Sequence, residues 1–126
     1  MPYRSAPGAA RELEVLLVTS TSNRWIIPKG DIDDGMEPHL AAEKEAFEEG
    51  GVRGRIGSRP VGTFRTCKEQ NGASIPVDVD VFPLEVTEQL DRWPEMEQRE
   101  RKWLPIGQAA EMAEPELAAI MRSLAP

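Results

Sequence analysis

The chain has a single cysteine and a single histidine, and its longest unbroken aliphatic run is the four residues Val15–Val18. So short a run neither crosses a bilayer nor forms a signal-peptide core, which disfavours membrane-spanning and secreted classes. Cys67 has no second cysteine to pair with, in agreement with a reducing, cytoplasmic setting. It also lacks a neighbouring base that would mark a nucleophile, and an incidental thiol is expected. His39 has no second histidine or cysteine at ligand spacing and is expected at the surface. The phosphate-cradling pattern G-x-x-x-x-G-K-[ST] is missing, which argues against a P-loop nucleotide hydrolase. With no internal repeat, linker or low-complexity tract, the 126 residues fit one domain, 1–126.

Positive charge is also scarce. Against 22 acidic residues there are 15 basic ones, net −7, so coating of a nucleic-acid polymer is not expected. The excess is local. Asp31–Glu49 holds eight acids (Asp31, Asp33, Asp34, Glu37, Glu43, Glu45, Glu48, Glu49) and the single base Lys44, so this stretch alone accounts for the whole −7.

What remains reads as alternating short elements. Glu12–Thr19 and Trp25–Ile27 read as strands, the second stopped by Pro28 and Gly30. Pro38–Glu49 is made of strong helix formers behind a first-turn proline, with Gly50–Gly51 as its stop. Val52–Cys67 reads as one or two strands, Asn71–Gly72 as a hairpin turn, and Val77, Val79 and Val81 alternate as in a strand with one buried face. Glu85–Glu100 reads as loop or irregular, Arg101–Leu104 as a strand, and Ile106–Met112 and Glu116–Leu124 as helices. Only Pro2–Arg4 precedes the first loop, so an initial strand is expected to be truncated or rudimentary. This order predicts an α/β (α+β) protein with a mixed sheet flanked by helices.

At about 100° per residue, Glu45, Glu48 and Glu49 share an arc of roughly 100° on one helix face. Leu40 and Phe47 fall opposite, where they are expected to pack into the core. A solvated acidic face is the ordinary explanation of such a run. Against it, like charges at i,i+3 and i,i+4 repel by about 0.2–0.5 kcal/mol per pair. Glu48 and Glu49 also sit at the negative end of the helix dipole. A divalent cation would reverse both effects, and oxygen-only ligands select a hard ion such as Mg²⁺ or Mn²⁺. Spacing alone leaves both readings open.

The order of residues is similar to the Nudix box, G-x5-E-x7-R-E-U-x-E-E-x-G-U, where U is aliphatic. Gly30, Glu45, Glu48, Glu49, Gly51 and Val52 fall on the pattern, and Ala46 fills an aliphatic slot. Met36 stands where the first motif glutamate belongs, beside Glu37, and Lys44 replaces the motif arginine. Lysine keeps the charge but loses the forked geometry. The resemblance implies a Nudix-type α/β/α sandwich. It further implies a Mg²⁺ or Mn²⁺ site at Glu45, Glu48 and Glu49, helped by the Gly30 carbonyl and Glu37. Glu48 or Glu49 would take the proton of the attacking water, and Lys44 would orient Glu45.

Arg24–Gly30, Gly35-Met36-Glu37-Pro38, Val86–Trp93 and Arg99–Trp103 resemble the branch that hydrolyses diphosphoinositol polyphosphates and diadenosine polyphosphates. The implied activity is metal-dependent hydrolysis of a diphosphate linkage in a dinucleoside polyphosphate or another polyphosphorylated metabolite. A nucleoside triphosphate pyrophosphatase of the MutT type and a non-catalytic nucleotide sensor are the alternatives. The implied partner is a small polyphosphate rather than a membrane or nucleic-acid polymer, bound by a monomer or homodimer. Basic residues cluster at Arg53, Arg55, Arg59, Arg65 and Lys68, and again at Arg99, Arg101 and Lys102. Arg65 and Arg101 are the favoured phosphate binders, joined by Arg24 and Lys29. Trp25 is expected to pack at the cleft rim, and Trp93 and Trp103 to act as core or loop anchors.

Overall fold

The computed structural model describes residues 1–30, 32 and 34–124, and alternation along one long strand sets its layers. In β2 (Ala9–Thr19), successive side chains point to opposite faces. Val15 and Leu17 join a large cluster containing Phe64, Ala109, Leu117 and Met121. Leu16 joins a smaller one with Ala46, Val52 and Leu84. The first cluster is closed by α2 (Ile106–Met112) and α3 (Pro115–Ser123), the second by α1 (Pro38–Gly50). Helices therefore cover both faces of the sheet, as expected.

The main sheet runs β3-β2-β1-β7-β4, with β8 also on β2. Here β1 is Pro2–Ala6, β3 Trp25–Ile26, β4 Val52–Ile56, β7 Leu84–Gln89 and β8 Arg101–Pro105. Val18 pairs with both Ile26 of β3 and Arg101 of β8, which places those strands on opposite edges of β2. Only β1 and β7 run parallel among these pairs. A second, two-stranded sheet joins β5 (Gly62–Gln70) to β6 (Ala73–Val81). Its turn puts Asn71 and Gly72 at φ 52° and 78°, the left-handed pair that a tight two-residue hairpin demands. Among the described residues no helix is long and apolar enough to cross a membrane.

Two expectations need correction. The tract Glu85–Glu100 is not wholly irregular, because β7 pairs in parallel with β1 and antiparallel with β4. Its inward residues Leu84 and Val86 are separated by outward Glu85, and the acidic face hides the period. Nor is the first strand rudimentary: β1 spans five residues and lies between β2 and β7.

Candidate metal and phosphate site

The orientation of α1 decides the site. Its buried residues are Ala41, Ala46, Glu49 and Gly50, so the face turned inward is made of small residues and one carboxylate. Leu40 is 40% exposed, and Phe47 is only half-buried, under the Arg53 guanidinium at 4.6 Å. The expected packing of Leu40 and Phe47 into the core is therefore not what is found. Close approach is the reason: a Cβ on Gly50 would lie 2.7 Å from Leu16 Cδ2, so a bulky face would not fit there. The helix ends at Gly51, whose φ of 66° lets its N–H reach back to the Ala46 and Phe47 carbonyls.

Glu49, only 3% exposed, is the sole buried charged residue among the described ones. The Glu45 carboxyl, one helical turn earlier, acts on it directly. The Lys29 backbone N–H donates to Glu49 Oε1 at 3.3 Å, and Arg99 Nη1 lies 3.8 Å from the same oxygen. Burial, reinforced by the Glu45 carboxyl, pushes the Glu49 carboxyl up to about 8, against the opposing pull of Arg99. Glu45 packs on Gly30, where an added Cβ would fall 2.6 Å from Cδ and 2.8 Å from each carboxylate oxygen. Gly30 is thus a cradle for Glu45.

The motif carboxylates are not all gathered. Glu48 is turned to Lys44, whose Nζ is 3.8 Å from its Oε1 one helical turn away. That is one pairing of Lys44, the residue expected to orient Glu45. Glu37 precedes the first turn, with its side chain 69% exposed and 3.7 Å from His39 Nε2. At about 1.5 Å rise per residue it stands about 12 Å along the axis from Glu45, so it is not brought to the pair. His39 is half-buried against Phe82 instead of lying at the surface. Among the described residues no group of three potential ligands closes around a metal position. The pair itself nonetheless fits a hard cation. Two carboxyls are forced together, one of them buried, and a divalent ion in place of the proton would relieve both repulsion and desolvation.

The last turn of α1 carries no basic residue, and its carbonyls are met from the segment before β8. Leu90 N donates to Gly51 O at 2.8 Å and Glu95 N to Glu48 O at 3.0 Å. Trp93 Nε1 donates to Glu49 O at 3.0 Å. Arg101 Nη1 donates to Gly50 O at 3.1 Å while its guanidinium stacks on Trp93 at 3.9 Å. These donors satisfy the helix end and offset its dipole. Arg101, expected to bind phosphate, is thus occupied as a cap, and Trp93 is the anchor it was expected to be.

A cleft of about 380 Å³ opens among residues of the Leu17 cluster and includes Lys29. Arg24, Trp25 and Lys29 form one side, Thr66 and Cys67 of β5 another, and Leu117 of α3 part of its wall. Lys29 belongs to both cleft and carboxylate site, since its N–H holds Glu49. Arg24 and Lys29 are both among the residues lining the cleft. Arg65 is not: strand alternation turns it from Phe64 and Thr66, and it pairs with Asp78 at 3.0 Å. Trp25 stands at the rim, with Lys102 Nζ 5.7 Å from its ring centre. Cys67 is exposed and lines this cleft, a location its isolation in the sequence did not disclose. The residue that sequence reasoning passed over is Arg99. It was visible only as one member of a basic cluster, and the contact to Glu49 depends on how the loop returns to Thr19.

Residues 5–124 match the NUDIX domain. A mouse protein named diphosphoinositol polyphosphate phosphohydrolase 3-alpha is 39% identical over 103 residues, covering 79% of this chain and 59% of the relative. The Arabidopsis thaliana protein named Nudix hydrolase 12, mitochondrial, is 36% identical over 110 residues, covering 80% and 52%. The chain thus spans little more than half the length of these curated relatives. A Caenorhabditis elegans Ap4A hydrolase structure, described as a binary complex, superposes with a TM-score of 0.67 at 22% identity, covering 98% of this chain and 89% of that one.

Proposed function

Because this chain belongs to the Nudix family, we propose that it hydrolyses a diphosphate linkage in a dinucleoside polyphosphate, using a divalent cation held by Glu45 and Glu49. The observation that carries this reading is the Glu45–Glu49 pair, with Glu49 buried and held by the backbone of Lys29, a residue that also lines the cleft. Mg²⁺ or Mn²⁺ bound there supplies charge neutralisation and a lowered pKa for bound water. Glu48, with its side chain 33% exposed and Lys44 beside it, is open to take a proton from the attacking water. Arg24 and Lys29 supply charge-assisted hydrogen bonds to the remaining phosphates.

The cleft lining favours a nucleoside over a phosphorylated inositol. Trp25, Ile27, Phe64 and Leu117 offer apolar and aromatic surface for a flat base, and among the described residues the lining cations are two, Arg24 and Lys29. An inositol ring bearing phosphates on most of its carbons demands a wider basic surface. Hydrolysis of a nucleoside triphosphate is the second reading, since the same cleft accepts one base. The whole family of substrates is testable together. Purified protein with Mg²⁺ or Mn²⁺ is offered diadenosine polyphosphates, diphosphoinositol polyphosphates and nucleoside triphosphates, with products resolved by ion-exchange chromatography. Diadenosine polyphosphate is expected to turn over fastest. Absence of turnover on every substrate would refute the enzymatic reading and leave a nucleotide-binding module.

A further inference from the structure

Arg99 is held at two corners before it meets the site. Its Nε donates to Glu95 Oε1 at 2.7 Å, and its Nη1 donates to the Thr19 carbonyl at 2.9 Å. Only 18% of the side chain is exposed, and the same Nη1 lies 3.8 Å from Glu49 Oε1. The anchor is tied to the helix it serves, because the Glu95 backbone N–H donates to Glu48 O at 3.0 Å. A planar guanidinium fixed by two partners has little freedom to turn, and the Nη1 tied to Thr19 is the atom held beside Glu49. Lys44, at the motif position of arginine, pairs with Glu48.

We propose that Arg99 is the positioning residue of the carboxylate pair, a cation supplied from outside α1 that holds Glu49 against Glu45. This rests on the reading of Glu45 and Glu49 as the cation site. The segment Leu90–Arg99 is then a clamp: its amides and Trp93 grip the carbonyl end of α1, and its last residue steadies the carboxylate within. Groups that orient metal ligands typically change metal affinity or activity about 10–100-fold when removed.

The test compares the full chain with Arg99→Met, Arg99→Lys and Glu95→Gln, using calorimetric Mn²⁺ titration, thermal melts in chelator, and kcat and KM on the best diphosphate substrate. Arg99→Met is expected to lose about 10–100-fold in Mn²⁺ affinity and in kcat, with KM shifting less than about threefold. Arg99→Lys is expected to recover only part, because a point charge cannot keep the anchors to both Glu95 and Thr19. A folded Arg99→Met with wild-type Mn²⁺ affinity and kcat overturns the proposal. So does one whose melting temperature drops while Mn²⁺ affinity stays unchanged, which marks a purely structural role. If Arg99→Met fails to fold, Glu95→Gln decides: weakened Mn²⁺ binding supports the proposal and unchanged binding overturns it. Wild-type chain that binds Mn²⁺ but cleaves no diphosphate refutes the enzymatic reading alone, leaving the Mn²⁺ comparison to judge Arg99.

Discussion

Metal-free protein should lose stability as pH rises across neutrality, and Glu49 is the reason. Its carboxyl is pushed up to about 8 in the folded chain by burial and by the Glu45 carboxyl, against an ordinary value of 4.5. Between those values the folded state holds more protons than the unfolded state, so stability falls with increasing pH. The contribution is fully present below the unfolded value and is lost as pH climbs through the folded one. Each pH unit inside the window is worth at most about 1.4 kcal/mol, so moving from about pH 5.5 to 7.5 costs a ceiling of about 3 kcal/mol. Separation of the two carboxylates on ionisation reduces this, leaving about 1–2 kcal/mol, or on the order of 5 °C in melting temperature for a domain of this size. Scanning calorimetry in chelator would be run on the wild type and on Glu49→Gln, which keeps the shape and removes the titration. The wild type should fall relative to the variant as pH rises, and Mg²⁺ should restore the wild type alone at the upper pH. Parallel pH profiles for the two proteins would refute the reasoning.

Three further outcomes follow from the same geometry. Gly30→Ala should push the Glu45 carboxylate aside, since its Cβ would fall 2.6 Å from Cδ. The moving group is the end of a flexible side chain, so metal-dependent turnover should fall about tenfold or more while the metal-free melting temperature changes little. Trp25→Ala should raise KM for a dinucleoside polyphosphate about tenfold with kcat nearly unchanged, because base stacking on an aromatic ring is worth about 1–3 kcal/mol; unchanged KM would remove Trp25 from the base site. Leu16→Ala, at a position with no exposed surface and neighbours Ala46, Val52 and Leu84, should destabilise by about 2–5 kcal/mol in denaturant titration.

Periodicity made the central elements readable. Val15–Val18, the first-turn proline at Pro38 and the Gly51 stop each carry a local signal that agrees with the tertiary packing. The strand at Leu84–Gln89 lacked such agreement. Its partners lie at the N-terminal strand and at Val52–Ile56, far away in sequence, and the acids on its outer face imitate a solvated loop. Helix orientation was a subtler failure. Leu40 and Phe47 looked like a core face by hydropathy, yet Gly50 and Ala46 determine how near the helix can come to Leu16, and proximity placed the small face inward. That choice is also what buries Glu49.

For the basic residues, the sequence supplied candidates without the means to choose among them. Arg65 lies on a strand whose antiparallel partner alternates Val77, Val79 and Val81 with Asp78 and Asp80, and register puts Asp78 directly opposite. Arg53 and Arg55 meet Glu88 and Glu85 in the same fashion across the sheet. A cation in a strand thus finds a cross-strand acid whenever the neighbouring strand carries one, and phosphate must then compete for it. Arg24 and Lys29 stand in or beside the turn and loop around the short third strand, where no ladder dictates a partner, and both line the cleft. Arg99 and Arg101 differ by a further step. The Val18↔Arg101 pairing starts the last strand, whose first side chain swings over Trp93 and the helix carbonyls. Two residues earlier the chain is still returning past Thr19, and that return carries the Arg99 guanidinium to Glu49. Which of two arginines in one short basic run reaches the carboxylates is therefore decided by where a strand begins, a boundary that side-chain composition does not encode.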